Sequence, residues 1–429
     1  MDTSPQVLAS DYSSRAPDAV LDGGRLAAGS GLLLLLRNAM DRLRPGQLLE
    51  LRSVEPSAQE DIEAWCRLSL HRLVANIGTN GQHRCLIEKG QGAAQRPQPD
   101  WGVRLPFRPG GAVDVRDWAA GRAGHVPELA PASAGFVPRG AVAEPGMPSY
   151  PYTLNRKEDV WAPNLPQLYE QGKVQQWNAA TDILWSELRP LPQDLERAVC
   201  QLMTFLAENE YSALYIPAKF LPRVNAQFVE VVLFLSAVMN DEARHIEAFT
   251  KRALANGGGL QYASALTEWS LHSLFIQEDY LRSSFLLHVL GEGTFLDLLS
   301  FIERYAPDPV TADVVRRARN DEGRHVAYGV AHVRECLRRQ PARASELLAA
   351  AEERSAALQA AGDSNPAVTE ALALLAGGGA QSHQLAAGFE AVQDMHRAMH
   401  ERRVQHMLQI GLDDATANKI SELHTPNFM

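Results

Sequence analysis

Two hexapeptides carry the residues best suited to chemistry. Asn240-Asp241-Glu242-Ala243-Arg244-His245 is matched, 80 residues later, by Asn320-Asp321-Glu322-Gly323-Arg324-His325, with five of six positions identical. Each copy sets Glu and His at i and i+3, so on a helix both side chains share one face and can converge on one ion. A single Glu-x-x-His is common as a surface pair, whereas two facing copies bring two carboxylates and two imidazoles to one place. A further glutamate precedes each copy: Glu210 lies 32 residues before Glu242, and Glu292 lies 30 before Glu322. A helix that climbs about 13 residues, turns and climbs back returns to its starting level at ~1.5 Å per residue, so each glutamate can meet its motif across a helical hairpin.

Four-helix bundles build di-metal sites from this set, one Glu from each of two helices and Glu-x-x-His from the other two. The donors suit iron or manganese better than copper or a thiolate-seeking metal. The expected ligands are Glu210, Glu242, His245, Glu292, Glu322 and His325. The expected cofactor is two Fe ions, with an Mn/Fe pair as the alternative. Aligning Glu210-Tyr211-Ser212-Ala213-Leu214 with Glu292-Gly293-Thr294-Phe295-Leu296 favours Glu210, and Glu208 is its fallback. His288 and Glu278 are weaker candidates for the same site. Tyr211 and Tyr215 read as amphipathic core residues. His396, His400, His406 and His424 lack paired carboxylates and read as solvated helix faces.

Positioning these groups requires long helices, and from about residue 155 the chain is almost wholly helical in pattern, broken by Gly257-Gly258-Gly259 and Pro307-Asp308-Pro309. A helical bundle is expected over 151–345, with additional helices over 346–429 packing on it. Residues 19–90 mix a helical run at 31–43, a Pro45-Gly46 turn, a strand at 47–54, a helical run at 60–76 and a strand at 85–90, the pattern of a small α+β unit. The Gly/Pro-dense stretch 91–150 reads as a linker and 1–18 as a disordered N-terminus.

A length of 429 residues suits about three domains at ~150 residues each. The formal net charge of −10 argues against nucleic acid or an anionic membrane as partner. Cys66, Cys85, Cys200 and Cys336 are scattered without CxxC spacing, which fits a reducing cytoplasmic location and excludes a disulfide framework. The first residues lack a secretory pattern. The apolar stretch from Leu271 to Leu290 is interrupted by Glu278, Asp279 and Arg282, so it reads as a buried helix and no membrane anchor is expected.

Over roughly Leu165 to Arg338 the chain resembles the ferritin-like di-iron carboxylate proteins. Within them it is most similar to the oxygen-activating branch: bacterial multicomponent monooxygenase hydroxylases, ribonucleotide reductase small subunits and arylamine N-oxygenases. The resemblance implies that Asp241 orients His325, that Asp321 orients His245, and that Arg244 and Arg324 are their charge partners. Gln176-Trp177-Asn178 and Thr181-Asp182-Ile183-Leu184-Trp185 look like the entry segment of such oxygenases, whereas the third His of the N-oxygenases is here Ala318. It also implies O2 as co-substrate, a small organic substrate and an external electron donor, a reductase or ferredoxin. A ferroxidase is the alternative and a non-enzymatic adaptor the second alternative.

From Val20 to Gly90 the chain resembles the TusA/SirA sulfur-relay proteins, carried by Leu21-Asp22, Arg37-Asn38-Ala39-Met40, Arg44-Pro45-Gly46, Asp61 to Cys66 and Leu86 to Gly90. Where that family has its persulfide-bearing Cys-Pro-x-Pro, this chain has Ala28-Gly29-Ser30-Gly31, so the nucleophile is missing. Cys66 matches a family position away from the sulfur-carrying site. The resemblance implies a catalytically degenerate unit that keeps a surface for docking a carrier protein or the partner domain, with capping or dimerising the bundle as the alternative, and a homodimer is expected. The fold class is thus multidomain: a small two-layer α+β domain, then an all-α ferritin-like four-helix bundle with extra C-terminal helices.

Overall fold

By its internal contacts the chain divides into two units, Met1–Gly102 and Val103–Met429. The computed structural model describes residues 15–79, 81–90, 125–141, 146–361 and 366–424. Most of the expected N-terminal stretch 1–18 and much of 91–150 lie outside the described residues.

In the first unit, β1 (Ala19–Gly24), α1 (Leu32–Asp41), β2 (Leu48–Ser53), α2 (Ala58–Leu68), β3 (Arg72–Thr79) and β4 (Gln82–Glu88) form one sheet covered by two helices. The strand order is β1-β2-β4-β3, with β1 parallel to β2 and the other pairs antiparallel. Helix α1 buries Leu32, Leu36 and Met40, one residue per turn, and α2 buries Ala58, Ile62, Trp65 and Cys66. The helical run expected to reach residue 76 stops at Leu68. Leu70 takes a left-handed φ of 58°, the chain turns, and the residues from Arg72 pair with β4. A short apolar run has no period long enough to separate helix from strand, and a neighbouring strand decided it. Periodicity did not announce β1 either, which is held by its ladder to β2.

In the second unit, α3 (Lys157–Val160) and α4 (Leu165–Val174) lead into α5 (Gln193–Phe220) and α6 (Val229–Ala255), the first long hairpin. Helix α7 (Ala265–Phe275) is followed by α8 (Tyr280–Ser284), a π-helical turn over Phe285–Gly291, and α9 (Glu292–Tyr305), which run on as one rod. Helix α10 (Pro309–Arg339) returns against that rod, completing the second hairpin. The rod Tyr280–Tyr305 is apolar enough by composition to cross a membrane, yet most of it is buried inside the protein. Helices α11 (Ala344–Ala361), α12 (Pro366–Gly377), α13 (Ser382–Gln409) and α14 (Asp414–His424) share its core through Leu347, Leu372, Met399, Met407 and Ile420. The expected solvated histidines are drawn inward there. His424 is buried, and His396, His400 and His406 are partly so, because α13 and α14 pack on each other as well as on the bundle.

Two buried arginines, Arg252 and Arg139, fix the bundle through their ion pairs. Arg252 Nη1 donates to Glu196 Oε1 at 2.7 Å and its Nη2 to Asp308 Oδ2 at 2.9 Å, tying α6 to the start of α5 and to the N-cap of α10. Arg139 Nη2 meets Glu230 Oε1 at 2.7 Å. The Arg139 pair corrects the linker expectation for 125–141: Val126 and Ala130 belong to the core of the helical unit, and Leu129 bridges to Arg156. Apolar residues spaced irregularly between prolines can seat on a preformed helical surface without any period of their own. Glu230 is fully buried, so Glu230→Ala should lower stability by about 3 kcal/mol in chemical denaturation. Faster amide hydrogen exchange over 125–141 should accompany the loss.

Candidate metal centre

Helix α5 supplies Glu210, α6 supplies Glu242 and His245, α9 supplies Glu292 as its first residue, and α10 supplies Glu322 and His325. The motifs lie mid-helix, where the backbone is already hydrogen-bonded and the side chains are held by packing on both flanks. Each of the six is at most 1% exposed. They form two overlapping groups, Glu210, Glu242, His245 and Glu322, and Glu242, Glu292, Glu322 and His325, with one donor atom per residue lying within 4.8 Å of the others. Glu242 and Glu322 belong to both.

The imidazoles have a definite polarity. His245 Nδ1 faces the carboxylates, 3.2 Å from Glu242 Oε2 and 3.3 Å from Glu322 Oε1. His325 Nδ1 lies 2.9 Å from Glu242 Oε1 and 3.2 Å from Glu322 Oε2. The opposite nitrogens point away, and His245 Nε2 donates to Asp321 Oδ2 at 3.1 Å while His325 Nε2 donates to Asp241 Oδ2 at 3.4 Å. A ring that donates from Nε2 keeps Nδ1 as its lone-pair nitrogen, which is the tautomer a metal needs. Arg244 and Arg324 each bridge both aspartates, at 3.0 Å from Arg244 to Asp321 and 2.9 Å from Arg324 to Asp241.

Three residues beyond the end of α4 close this layer. Gln175 Oε1 accepts from Arg324 and Gln176 Oε1 from Arg244, each at 2.6 Å. Trp177 Nε1 donates to Asp321 Oδ2 at 2.7 Å, and its ring lies 4.9 Å from the Arg244 guanidinium. Composition and spacing gave these residues no role. Their only mark in the sequence is the resemblance of Gln176-Trp177-Asn178 to an entry segment, since a loop's partners are set by where its helix lands.

The donor set fits a pair of divalent ions. Six carboxylates against two guanidinium groups leave four negative charges in a dry interior when the imidazoles are neutral, and two divalent cations match that charge. One oxygen of each of Glu210, Glu242, Glu292 and Glu322 is buried without a hydrogen bond, a costly state for a carboxylate with no cation. The titration of the metal-free site shows the same demand for positive charge. Burial, then the charges of Glu242 and Glu322, hold the Glu210 carboxyl well above its ordinary range. Burial alone would strip the proton from His245, but Asp321 and the surrounding glutamates hold its pKa well above the usual value. Burial also works against ionised Asp321, and the His245 hydrogen bond with the nearby Arg324 charge keeps it ionised.

The weaker candidates go elsewhere. Glu208 turns towards Glu268 on α7, where burial and that neighbouring carboxyl push its pKa up to about 8. Glu278 is exposed and paired with Lys219 and Arg223. Tyr211 and Tyr215 are 52% and 54% exposed, on the outer face of α5, so they are not core residues. His288 touches the centre through Glu292 and not through the donor groups.

No protein-family model matches the chain, and no curated protein matches it by sequence. Among solved structures it is similar to a valine-to-leucine variant of an R2-like ligand-binding oxidase with an aerobically reconstituted Mn/Fe cofactor, at 19% identity and a TM-score of 0.40, covering 61% of this chain and 93% of that one. It is also similar to a glycine-to-leucine variant of an R2-like ligand-binding oxidase with an Fe/Fe cofactor, at 20% identity and a TM-score of 0.43, covering 60% and 93%. At that level of likeness the chemistry of this chain rests on its own residues.

The shared carboxylates set an order of damage. Glu242→Ala or Glu322→Ala should abolish loading of both ions in metal analysis while far-UV dichroism stays helical. Glu210→Ala or Glu292→Ala should remove one, and Glu208→Ala should remove none. Because burial and the neighbouring carboxylates raise the pKa of Glu210, and the carboxylates raise those of His245 and His325, ion binding should displace protons from the donor cluster. Apparent affinity should therefore rise with pH, with proton release visible by calorimetry in buffers of different ionisation enthalpy.

Proposed function

We propose that this chain is a non-haem dinuclear-metal oxidoreductase of the ferritin-like class that uses O2 to oxidise a small organic metabolite. The carrying observation is the pair of overlapping donor groups with two shared glutamates, sealed in the bundle and backed by two aspartates whose charges two arginines answer, so that the glutamates are left for cations. A pair of Fe ions, or one Mn and one Fe, held there would supply O2-dependent redox chemistry.

The chain's own residues set the conditions for that chemistry. Glu210, Glu242, His245, Glu292, Glu322 and His325 would hold the ions, with Glu242 and Glu322 belonging to both donor groups. Asp241 and Asp321 hold each imidazole in one tautomer and one orientation. Arg244 and Arg324 pair with those aspartates, and Trp177 covers Asp321 and His245 on the α4 side. Burial excludes bulk water, so side reactions of a strong oxidant are suppressed.

A resident cofactor is favoured over iron in transit because all six donors are closed in, with the Phe249 ring packed beside His245. The substrate belongs to the small organic metabolites, carrier-bound or sulfur-containing compounds among them, with hydroxylation, desaturation, N-oxygenation or cleavage as the reaction. Electrons would come from a reductase or ferredoxin. The N-terminal unit would act as a silent sulfur-relay fold that docks a carrier protein, in a cytoplasmic homodimer. Its two cysteines suit a silent role, since burial pushes the Cys66 thiol up to about 12 and the Cys85 thiol up to about 11.

Single turnover tests the reading. Protein loaded with two ferrous ions and mixed with O2 should show a transient visible band and convert an organic substrate, with O2 consumed in proportion to product. Ferric mineral in place of product would make the protein a ferroxidase. Retention of fewer than ~0.2 ions per chain after iron loading would overturn both readings.

A further inference from the structure

The internal symmetry of the centre breaks at one side chain. Glu210 and Glu292 occupy corresponding places, each on the helix that precedes an Asp-Glu-x-Arg-His motif. Four residues before Glu210 stands Leu206, a fully buried hydrocarbon that can make no hydrogen bond. Four residues before Glu292 stands His288, 2% exposed, whose Nδ1 donates to Glu292 Oε2 at 2.7 Å. The other oxygen of Glu292, Oε1, is buried without a hydrogen bond. Helix α5 is regular around Glu210, whereas His288 lies in the π-helical turn Phe285–Gly291 that ends directly at Glu292. π-Helical turns of this kind concentrate at functional sites.

The neighbouring helix is shaped to accept this histidine. A Cβ at Gly329 on α10 would lie 2.4 Å from His288 Cβ and 3.2 Å from its carbonyl carbon, so only glycine lets the two backbones approach this closely. Tyr328 closes the imidazole from the same helix, with ring centroids 5.5 Å apart at 71°. No such holder stands beside Glu210 on its own helix.

We propose that His288 is a positioning residue that presets Glu292, making the two halves of the dinuclear centre unequal. Its hydrogen bond occupies Oε2 and leaves Oε1 as the open oxygen, so the half built on Glu292 and His325 needs less rearrangement to take an ion and fills first. The half built on Glu210 and His245 fills second and is the one whose carboxylate can swing. The inference rests on the dinuclear reading above. Hydrogen-bond partners of metal-ligating groups typically contribute 10–100-fold in metal affinity, which sets the size of the expected effect.

Anaerobic titration of the full chain with Fe(II), followed by Mössbauer spectroscopy of the ⁵⁷Fe-loaded protein, tests this. The wild-type protein should show two unequal binding steps and two distinct ferrous signals. His288→Leu should weaken the tighter step by ~10–100-fold, leave the other nearly unchanged and shift one signal. His288→Gln, which keeps a donor, should restore most of the affinity, and Gly329→Ala should weaken the same step by displacing the ring. The positioning role is overturned if wild-type protein binds two ions and His288→Leu matches it in both steps and both signals. It is equally overturned if both steps weaken together, or if His288→Gln, folded by dichroism, is as weak as His288→Leu. A wild-type protein that binds no ions overturns the dinuclear reading itself.

Discussion

Buried negative charge is the constraint on which the rest of the bundle depends. Four glutamates and two aspartates stand together where water does not reach, and carboxylates in such a place repel one another and lose their hydration. Neutralisation is arranged in layers. Arg244 and Arg324 answer the aspartates, the aspartates accept from the Nε2 atoms of both histidines, and the histidines turn Nδ1 towards the glutamates. The glutamates are left as the innermost layer with four oxygens unsatisfied, so the demand for cations is a property of the folded chain.

That layering explains why the two motifs are nearly identical. Each motif's Asp serves the other motif's His, and each Arg spans both aspartates, so the hairpins α5–α6 and α9–α10 are cross-linked through the same residues that aim the donors. Positioning the site and packing the bundle are one task here. The Arg252, Glu196 and Asp308 network then holds the register of three helices two turns beyond His245. Helices that slid by one turn, ~5.4 Å, would separate the donor groups entirely.

The symmetry is nonetheless incomplete, and the difference lies in the rod that contains the π-helical turn. Helix α5 runs unbroken through Glu210, with buried Leu206 four residues before it. The opposite rod presents Glu292 after a turn with one residue too many for an α-helix, with His288 inside it and Gly329 opened to receive it. Chemistry that distinguishes two metals, or two sides of one substrate, needs an asymmetry of this sort in an otherwise duplicated scaffold.

The shared faces of the six carboxylate and imidazole side chains and their hairpin spacing were legible in the residues because helical periodicity is local: i and i+3 share a face wherever the helix lies. The Asp-to-His pairing between the motifs came only from the resemblance to the di-iron carboxylate proteins. Glu210 over Glu208 was legible for the same reason, since a motif alignment is a statement about one face. Contacts between distant segments were not. Gln175, Gln176 and Trp177 reach the aspartates only because α4 ends beside α6 and α10, and Val126 and Ala130 join the core only because a helical surface is there to receive them. The strand from Arg72 was misread as helix because its ladder partner, not its own pattern, settles a short apolar run. The sequence by itself determined which side chains could share a helix face. Tertiary structure alone decided which faces meet, because burial and charge neutralisation depend on neighbours that no local period encodes.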